Sequence, residues 1–224
     1  MYQWIKKVST QSIEDNTRQR WNEVNVNKMP ELDFNDFLKN SYGLEEDLKA
    51  TDFYPKYLQY KKNDERRWKH ADVNGDGKLS FDEFKAFSFP MDFKHMKSVV
   101  TDETIEKIDK DKDGLISLDE YIADLARLEH RDPDPKSDWA MKEAASFDKH
   151  RDLDHNGKLD RAEVNEWVSP TNYDPIDAET KHLFYHSDSD KDNKLTLKEV
   201  LNSQDIFVGS QATEYGKHLE HNEF

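Results

Sequence analysis

The 224-residue sequence contains no cysteine, and only 34% of its residues are hydrophobic. The lack of cysteine excludes a disulfide-stapled module and a thiolate nucleophile. The scarcity of hydrophobic residues argues against a transmembrane protein. Basic residues are also few, 33 against 48 acidic ones, so the net charge of −15 argues against a basic nucleic-acid binder.

The sequence is rich in negative charge and in aromatic residues. Aromatic residues make up 12% of the chain and can supply a core despite a mean hydropathy of −1.08. Acidity with low hydropathy is also typical of disordered chains. The two possibilities differ in whether the acidic residues are scattered or placed at fixed positions, and here they are placed.

Four windows of twelve residues repeat one pattern. They are loop II (72–83), loop III (109–120), loop IV (152–163) and loop V (188–199), and each begins with aspartate and ends with glutamate. Together they hold 17 of the 48 acidic and 8 of the 33 basic residues, a net charge of −9. Such clustering is costly unless a cation is present, so the repeats predict metal-binding loops.

The spacing within each window is that of the EF-hand calcium loop. Calcium takes six to eight oxygen ligands, here from side chains at positions 1, 3 and 5, a backbone carbonyl at position 7 and a bidentate glutamate at position 12. We therefore predict about four Ca²⁺ sites. The candidate ligands are Asp72, Asn74, Asp76, Lys78, Glu83, Asp109, Asp111, Asp113, Leu115, Glu120, Asp152, Asp154, Asn156, Lys158, Glu163, Asp188, Asp190, Asp192, Lys194 and Glu199.

Positions 6 and 8 of the loops carry structural residues. Position 6 needs a left-handed turn, which glycine adopts freely and Asn193 of loop V adopts at modest cost. Position 8 is leucine or isoleucine in all four loops, the apolar residue that joins two loops through a short bridge. The predicted fold is all-α, with tandem EF-hand helix-loop-helix pairs and short antiparallel β bridges between paired loops.

A fifth, weaker window precedes the others. Loop I (25–36) has Met29 at position 5, which offers no oxygen, and Pro30 at position 6, which cannot take the left-handed conformation. Its last position is Asp36, shorter than glutamate. We predict that this hand keeps the fold without holding calcium, and that its partner hand would lie before residue 1.

The spacing of the loops predicts which hands pair. Loop starts are separated by 37, 43 and 36 residues, which favours pairing II with III and IV with V. The longer interval contains the proline-bearing segment 131–138, predicted to be a linker. The predicted organisation comprises a degenerate hand region (1–60), a pair (61–130), the linker (131–138), a second pair (139–205) and a tail (206–224).

These features together resemble the reticulocalbin and calumenin (CREC) family. The resemblance rests on the order of degenerate and complete hands, on the strings DERRW (64–68) and FVGSQAT (207–213), and on the terminal HNEF (221–224). It implies a non-enzymatic, low-affinity calcium binder of the secretory pathway. Such a protein would fold and compact on binding Ca²⁺ and act as a chaperone-like regulator of client proteins, without direct nucleic-acid binding or membrane insertion.

The terminal HNEF resembles a retention signal of the endoplasmic reticulum lumen, although Asn222 departs from the usual aspartate. No hydrophobic segment follows Met1, so a signal peptide is either removed or absent. The alternative location is the cytosol or nucleus.

Two other functions, a calcium sensor and an enzyme, find less support in the sequence. A cytosolic or nuclear calcium sensor would expose a methionine-rich groove, but the five methionines are spread along the chain. An enzyme is not predicted, because the sequence has no zinc-protease motif and no phosphate-binding glycine loop. His182 and His186 lie four residues apart, and two histidines without a third ligand favour an ordinary surface role.

Overall fold

A computed structural model describes residues 1–210, so the predicted HNEF signal lies outside the described residues. The described part is mainly helical. The helices and strands are α1 (Tyr2–Val24), β1 (Glu31–Asp33), α2 (Phe34–Tyr42), α3 (Glu45–Leu48), α4 (Tyr54–Ala71), β2 (Lys78–Ser80), α5 (Phe81–Ser88), α6 (Lys97–Ile108), β3 (Ile116–Ser117), α7 (Leu118–Leu128), α8 (Asp138–His150), β4 (Lys158–Leu159), α9 (Arg161–Val168), α10 (Pro175–Ser187), α11 (Leu197–Asn202) and α12 (Gln204–Val208).

The predicted all-α EF-hand architecture is confirmed. Each of the five loops lies between two helices, and the strands are two or three residues long. They form two antiparallel bridges, as expected for paired EF-hand loops. Within residues 1–210, no helix is both long and apolar enough to cross a membrane.

The loop partners predicted from spacing are wrong. Loop I pairs with loop II through β1 and β2, with Leu32 opposite Leu79. Loop III pairs with loop IV through β3 and β4, with Ile116 opposite Leu159. In both bridges residues at position 8 face each other, so the predicted role of that position holds although the partners differ.

Aromatic packing explains why loop I takes loop II. Phe37, which follows loop I, is fully buried and its ring centroid lies 5.5 Å from Trp68 and 5.1 Å from Phe87. Trp21, which precedes loop I, lies 5.3 Å from Phe84. Both flanks of the degenerate hand therefore bury their rings against hand II, and this shared core decides the pairing where spacing along the chain does not.

Hands III and IV share a second core. The ring of Tyr121 from α7 lies 5.2 Å from Phe147 of α8 and 5.4 Å from Trp167 of α9. Arg161 of α9 donates a 2.7 Å hydrogen bond to Asp102 of α6. The proline-bearing segment 131–138 thus connects two hands of one core and does not separate two pairs.

The chain forms two compact units. Unit 2 is Arg20–Thr171 and contains loops I to IV. Unit 1 combines Met1–Gln19 with the described residues from Asn172 onward, and so contains loop V. In unit 1, Ile5 of α1 packs with Leu183 and Phe207, and the half-buried Leu195 of loop V lies against this cluster. Within residues 1–210, loop V forms no strand pair, contrary to the predicted pairing with loop IV.

Candidate metal centre

The first aspartate of each complete loop closes the loop onto its own backbone. Its Oδ2 accepts a hydrogen bond from the N–H of position 6, at 2.7 to 2.9 Å in all four loops. Position 6 has φ of +83° or +84° in the three glycines Gly77, Gly114 and Gly157, and +60° in Asn193. Asparagine therefore supplies the left-handed turn in loop V, as predicted.

The glutamate at position 12 links the start of each loop to its end. In loop III, Oε1 of Glu120 accepts a 2.7 Å hydrogen bond from the backbone of Lys110, and Oε2 accepts a 2.9 Å bond from the backbone of Ser117. The corresponding pairs of bonds form in the other three complete loops. Each glutamate carboxylate is thereby aimed across its own loop.

Three loops bring three carboxylates together. In each of the three sets, one carboxylate oxygen from each residue lies within 4.8 Å of the corresponding oxygens of the other two. The sets are Asp109, Asp111 and Glu120 in loop III, Asp152, Asp154 and Glu163 in loop IV, and Asp188, Asp190 and Glu199 in loop V. Asp152, Glu163 and Glu199 are buried. Carboxylates held this close repel one another unless a cation lies between them.

Loop II reaches a similar arrangement with one carboxylate fewer. Its position 3 is Asn74, whose Oδ1 accepts a 2.9 Å bond from the backbone of Asp76. Asp72 accepts bonds from Gly75 and Gly77, and Glu83 closes the loop from position 12. The amide oxygen of Asn74 can serve as a neutral ligand where the other loops have aspartate.

The side chain at position 5 orients the peptide of position 7 in each complete loop. Position 5 is Asp76, Asp113, Asn156 or Asp192, and its side-chain oxygen accepts a bond of 2.8 to 2.9 Å from the N–H of position 7. That bond fixes the peptide of position 7, where Lys78, Leu115, Lys158 and Lys194 were predicted to offer a backbone carbonyl.

Hydrogen bonding favours the charged form of Glu120 and Glu199, at position 12 of loops III and V. Burial raises the pKa of the Glu120 carboxyl, but the bonds from Ser117 and Lys110 outweigh burial and leave this pKa below its ordinary value. For Glu199 the bonds from Thr196 dominate, and its pKa is lowered as well. Both side chains are therefore anionic at neutral pH, as the predicted ligand role requires.

In loop V, the neighbouring acidic groups raise the pKa of Asp190. A bond from the Asp192 backbone lowers the pKa of Asp190, but burial and the charges of Asp192, Glu199 and Asp188 together raise it above its ordinary value. The donor set in all four loops is oxygen throughout, and it is anionic. This chemistry fits a hard divalent cation such as Ca²⁺, which the residues at positions 1, 3, 5, 7 and 12 would hold.

Loop I is closed by a neutral side chain, Asn25, at the position where the complete loops have aspartate. Asn25 is only 5% exposed, and its Nδ2 donates to the carbonyl of Met29 at 2.7 Å. Its Oδ1 accepts from the N–H of the same residue at 2.9 Å. Asn40 donates to the carbonyl of Val24 and joins α2 to the end of α1. The degenerate hand therefore holds its shape with neutral hydrogen bonds.

Replacing Asn25 with alanine is expected to lower the free energy of unfolding in chelator by about 1 to 3 kcal/mol. The reason is that both backbone groups of Met29 lose their partner. Denaturant unfolding with and without the substitution measures this, and Asn27→Ala at an exposed position of the same loop is the control. Neither variant should change the calcium stoichiometry. A lost calcium site in Asn25→Ala would contradict the metal-free role of loop I.

Two features of the loops escaped the sequence analysis. Position 9 caps the following helix: Ser80, Ser117, Asp160 and Thr196 each form a capping box with the glutamate at position 12. The pattern Ser/Thr/Asp-x-x-Glu could have revealed these caps. The second feature is the side chain of Lys158, which contacts Asp113 of the neighbouring loop. No local pattern indicates that contact, because it depends on the pairing of loops III and IV.

Within residues 1–210, no third metal-ligating side chain joins the histidine pair on α10. His182 and His186 are exposed, with ring centroids 4.6 Å apart in an edge-on arrangement. Among residues 1–210, the groups of three metal-ligating side chains are the three acidic ones in loops III, IV and V.

Comparison with known proteins identifies EF-hands in this chain. Residues 61–125 match the EF-hand domain pair family, a stretch that covers loops II and III as neighbours along the chain. Reticulocalbin-3 of Rattus norvegicus and reticulocalbin-3 of Mus musculus are each 36% identical to the chain over 222 residues, 96% of its length. The chain belongs to the reticulocalbin family.

The reticulocalbin relatives are longer than this chain. The alignment covers 66% of each reticulocalbin-3, so the chain spans about two thirds of their length. The 36% identity over 96% of the chain confirms the predicted resemblance to the reticulocalbin and calumenin group. Family membership and the EF-hand loops together support a calcium-binding protein of the secretory pathway.

Proposed function

We propose that this reticulocalbin-family chain is a low-affinity calcium-binding regulator of the secretory pathway, which folds and compacts when loaded and modulates client proteins. The observation that carries the proposal is the repeated loop geometry, in which three sets of carboxylates converge within 4.8 Å. Loop II adds a fourth donor set with Asn74 at position 3. The residues at positions 1, 3, 5, 7 and 12 of loops II to V are the proposed ligands.

Charge neutralisation couples metal binding to compaction. Four calcium ions would change the formal charge from −15 to −7, which removes much of the repulsion that opposes close packing of the acidic loops. Because the ligands of each loop come from both of its ends, a bound ion also holds the entering and exiting helices together. Binding energy thus becomes folding energy. The loops have a binding role in this proposal, and no catalytic role is assigned to their carboxylates.

Calorimetric titration of the chelated protein with calcium, in millimolar magnesium, tests the proposal. We expect about four sites in the range of roughly 10⁻⁴ to 10⁻³ M, as for extracellular EF-hands. Circular dichroism on the same samples should show a gain of helicity. The matched control carries Glu→Gln at Glu83, Glu120, Glu163 and Glu199, because glutamine can still complete the helix caps without the charge. Absence of calcium binding by the unmodified chain would overturn the proposal.

The same titration separates the regulator from a cytosolic or nuclear sensor. Sensor EF-hands bind at about 10⁻⁷ to 10⁻⁵ M and open a methionine-rich groove. In the structure Met96 is fully buried in the core of hands I and II, whereas Met29, Met91 and Met141 are exposed on separate elements. Micromolar binding without a gain of helicity would favour the sensor.

A further inference from the structure

Lysine occupies position 7 in three of the four complete loops, as Lys78, Lys158 and Lys194. Position 7 is a ligand only through its backbone carbonyl, so these side chains have no part in a standard EF-hand site. One of them nevertheless reaches a proposed ligand. Nζ of Lys158 in loop IV donates a hydrogen bond to Oδ2 of Asp113, which is position 5 of loop III.

The strand register explains this contact. Lys158 lies opposite Ser117 in the bridge between β3 and β4, so position 7 of loop IV faces the C-terminal half of loop III. From there the four-carbon side chain extends to Asp113. Loop III cannot make the reciprocal ion pair with loop IV, because its position 7 is Leu115, which carries no charge.

The other two lysines at position 7 have no such target. Lys78 lies opposite Asp33 in the bridge between loops I and II, and position 5 of loop I is Met29, which has no carboxylate. Lys194 belongs to loop V, which has no strand partner within residues 1–210. Among the residues that the structure describes, neither of these lysines forms an ion pair with a candidate calcium ligand.

Loop III has a carboxylate at every side-chain ligand position, namely positions 1, 3, 5 and 12. It contains five acidic residues, Asp109, Asp111, Asp113, Asp119 and Glu120, more than any other complete loop. The side chains of Lys158 and Asp113 are 41% and 34% exposed, so the pair is only partly screened by solvent. In the metal-free chain the ammonium group offsets part of the repulsion among these carboxylates.

We propose that Lys158 is an internal counter-ion of loop III, which stabilises the metal-free pair of loops III and IV and weakens calcium binding by loop III. The inference rests on the proposed calcium binding of loop III. Calcium and the ammonium group compete for the same carboxylate of Asp113, and they also repel each other once calcium is bound. Loop III therefore binds more weakly than its five acidic residues alone would suggest, and the partner loop sets its affinity.

Three matched substitutions test this inference: Lys158→Met, Lys78→Met and Lys194→Met. Each removes one positive charge from position 7 and leaves the backbone carbonyl in place. Calorimetry should show one site strengthened in Lys158→Met by up to about fivefold beyond the change in the two controls, the range for a partly exposed ion pair. The same variant should melt at a lower temperature than either control in chelator, because the repulsion in loop III is then unrelieved.

The opposite signs of the two changes separate this role from a merely structural one. Loss of ordinary packing would lower both the melting temperature and the calcium affinity. Lys158→Arg keeps the charge and should restore both values towards those of the unmodified chain. In a Glu120→Gln background, where loop III is disabled, Lys158→Met should strengthen no site beyond the change seen in the two controls.

The outcomes of this experiment also separate the inference from the proposed function. If the unmodified chain binds no calcium, the proposed function fails and the inference fails with it. If the unmodified chain binds calcium but Lys158→Met behaves like Lys78→Met and Lys194→Met, the inference alone is overturned.

Discussion

Replacing Glu120 with glutamine is expected to lower the calcium affinity of loop III by at least about 100-fold. Loss of a residue that only supports a metal ligand already costs roughly 10- to 100-fold, and Glu120 is itself a proposed ligand with two oxygens. Its carboxylate lies in the same cluster as Asp109 and Asp111. Glutamine removes the charge and one of the two anionic oxygens.

Calorimetry should accordingly count about three sites in Glu120→Gln where the unmodified chain shows about four. Asp119→Asn is the matched control, since it removes the same charge from the adjacent exposed residue, which lies outside the carboxylate cluster. Glutamine can still accept the bond from Ser117, so α7 keeps its cap and the helix content should be preserved. Equal effects of the two substitutions would show that Glu120 acts only through general electrostatics.

Replacing Phe37 with alanine is expected to lower the free energy of unfolding of unit 2 by about 3 to 5 kcal/mol. The side chain is fully buried. Its ring centroid lies 5.5 Å from Trp68, 6.3 Å from Phe84 and 5.1 Å from Phe87. Truncation would leave a cavity between these three rings, all of which belong to hand II.

Denaturant unfolding followed by tryptophan fluorescence measures this loss in chelator. Phe53→Ala is the control, because that ring is 36% exposed and its removal should cost less than about 1 kcal/mol. The comparison also tests the pairing of hands I and II. If hand I were not packed on hand II, Phe37 would have no aromatic partners there and the two substitutions would cost about the same.

The loops and the fold class could be predicted because the signal for each hand is local. Twelve consecutive residues contain both the ligands and the turn residues, and the structure keeps even the left-handed turn at Asn193. The capping boxes were equally readable, because Ser117 and Glu120 are three residues apart.

The pairing of the hands could not be predicted from spacing, because it depends on contacts between distant segments. Phe37 and Phe84 are far apart in sequence, and no periodicity within either helix shows that their rings meet. The contact of Lys158 with Asp113 is hidden for the same reason, since it follows from the register of β3 and β4. Because the loop partners were predicted wrongly, the contacts between loops could not be predicted either.

Because Asn25 closes loop I through hydrogen bonds to Met29, the shape of loop I does not depend on calcium. If calcium becomes scarce, loops III, IV and V lose the ion that offsets their repulsion, whereas loop I loses nothing because neutral bonds to Met29 close it. Because hands I and II share one aromatic core, hand II then keeps a partner whose own loop is closed without calcium.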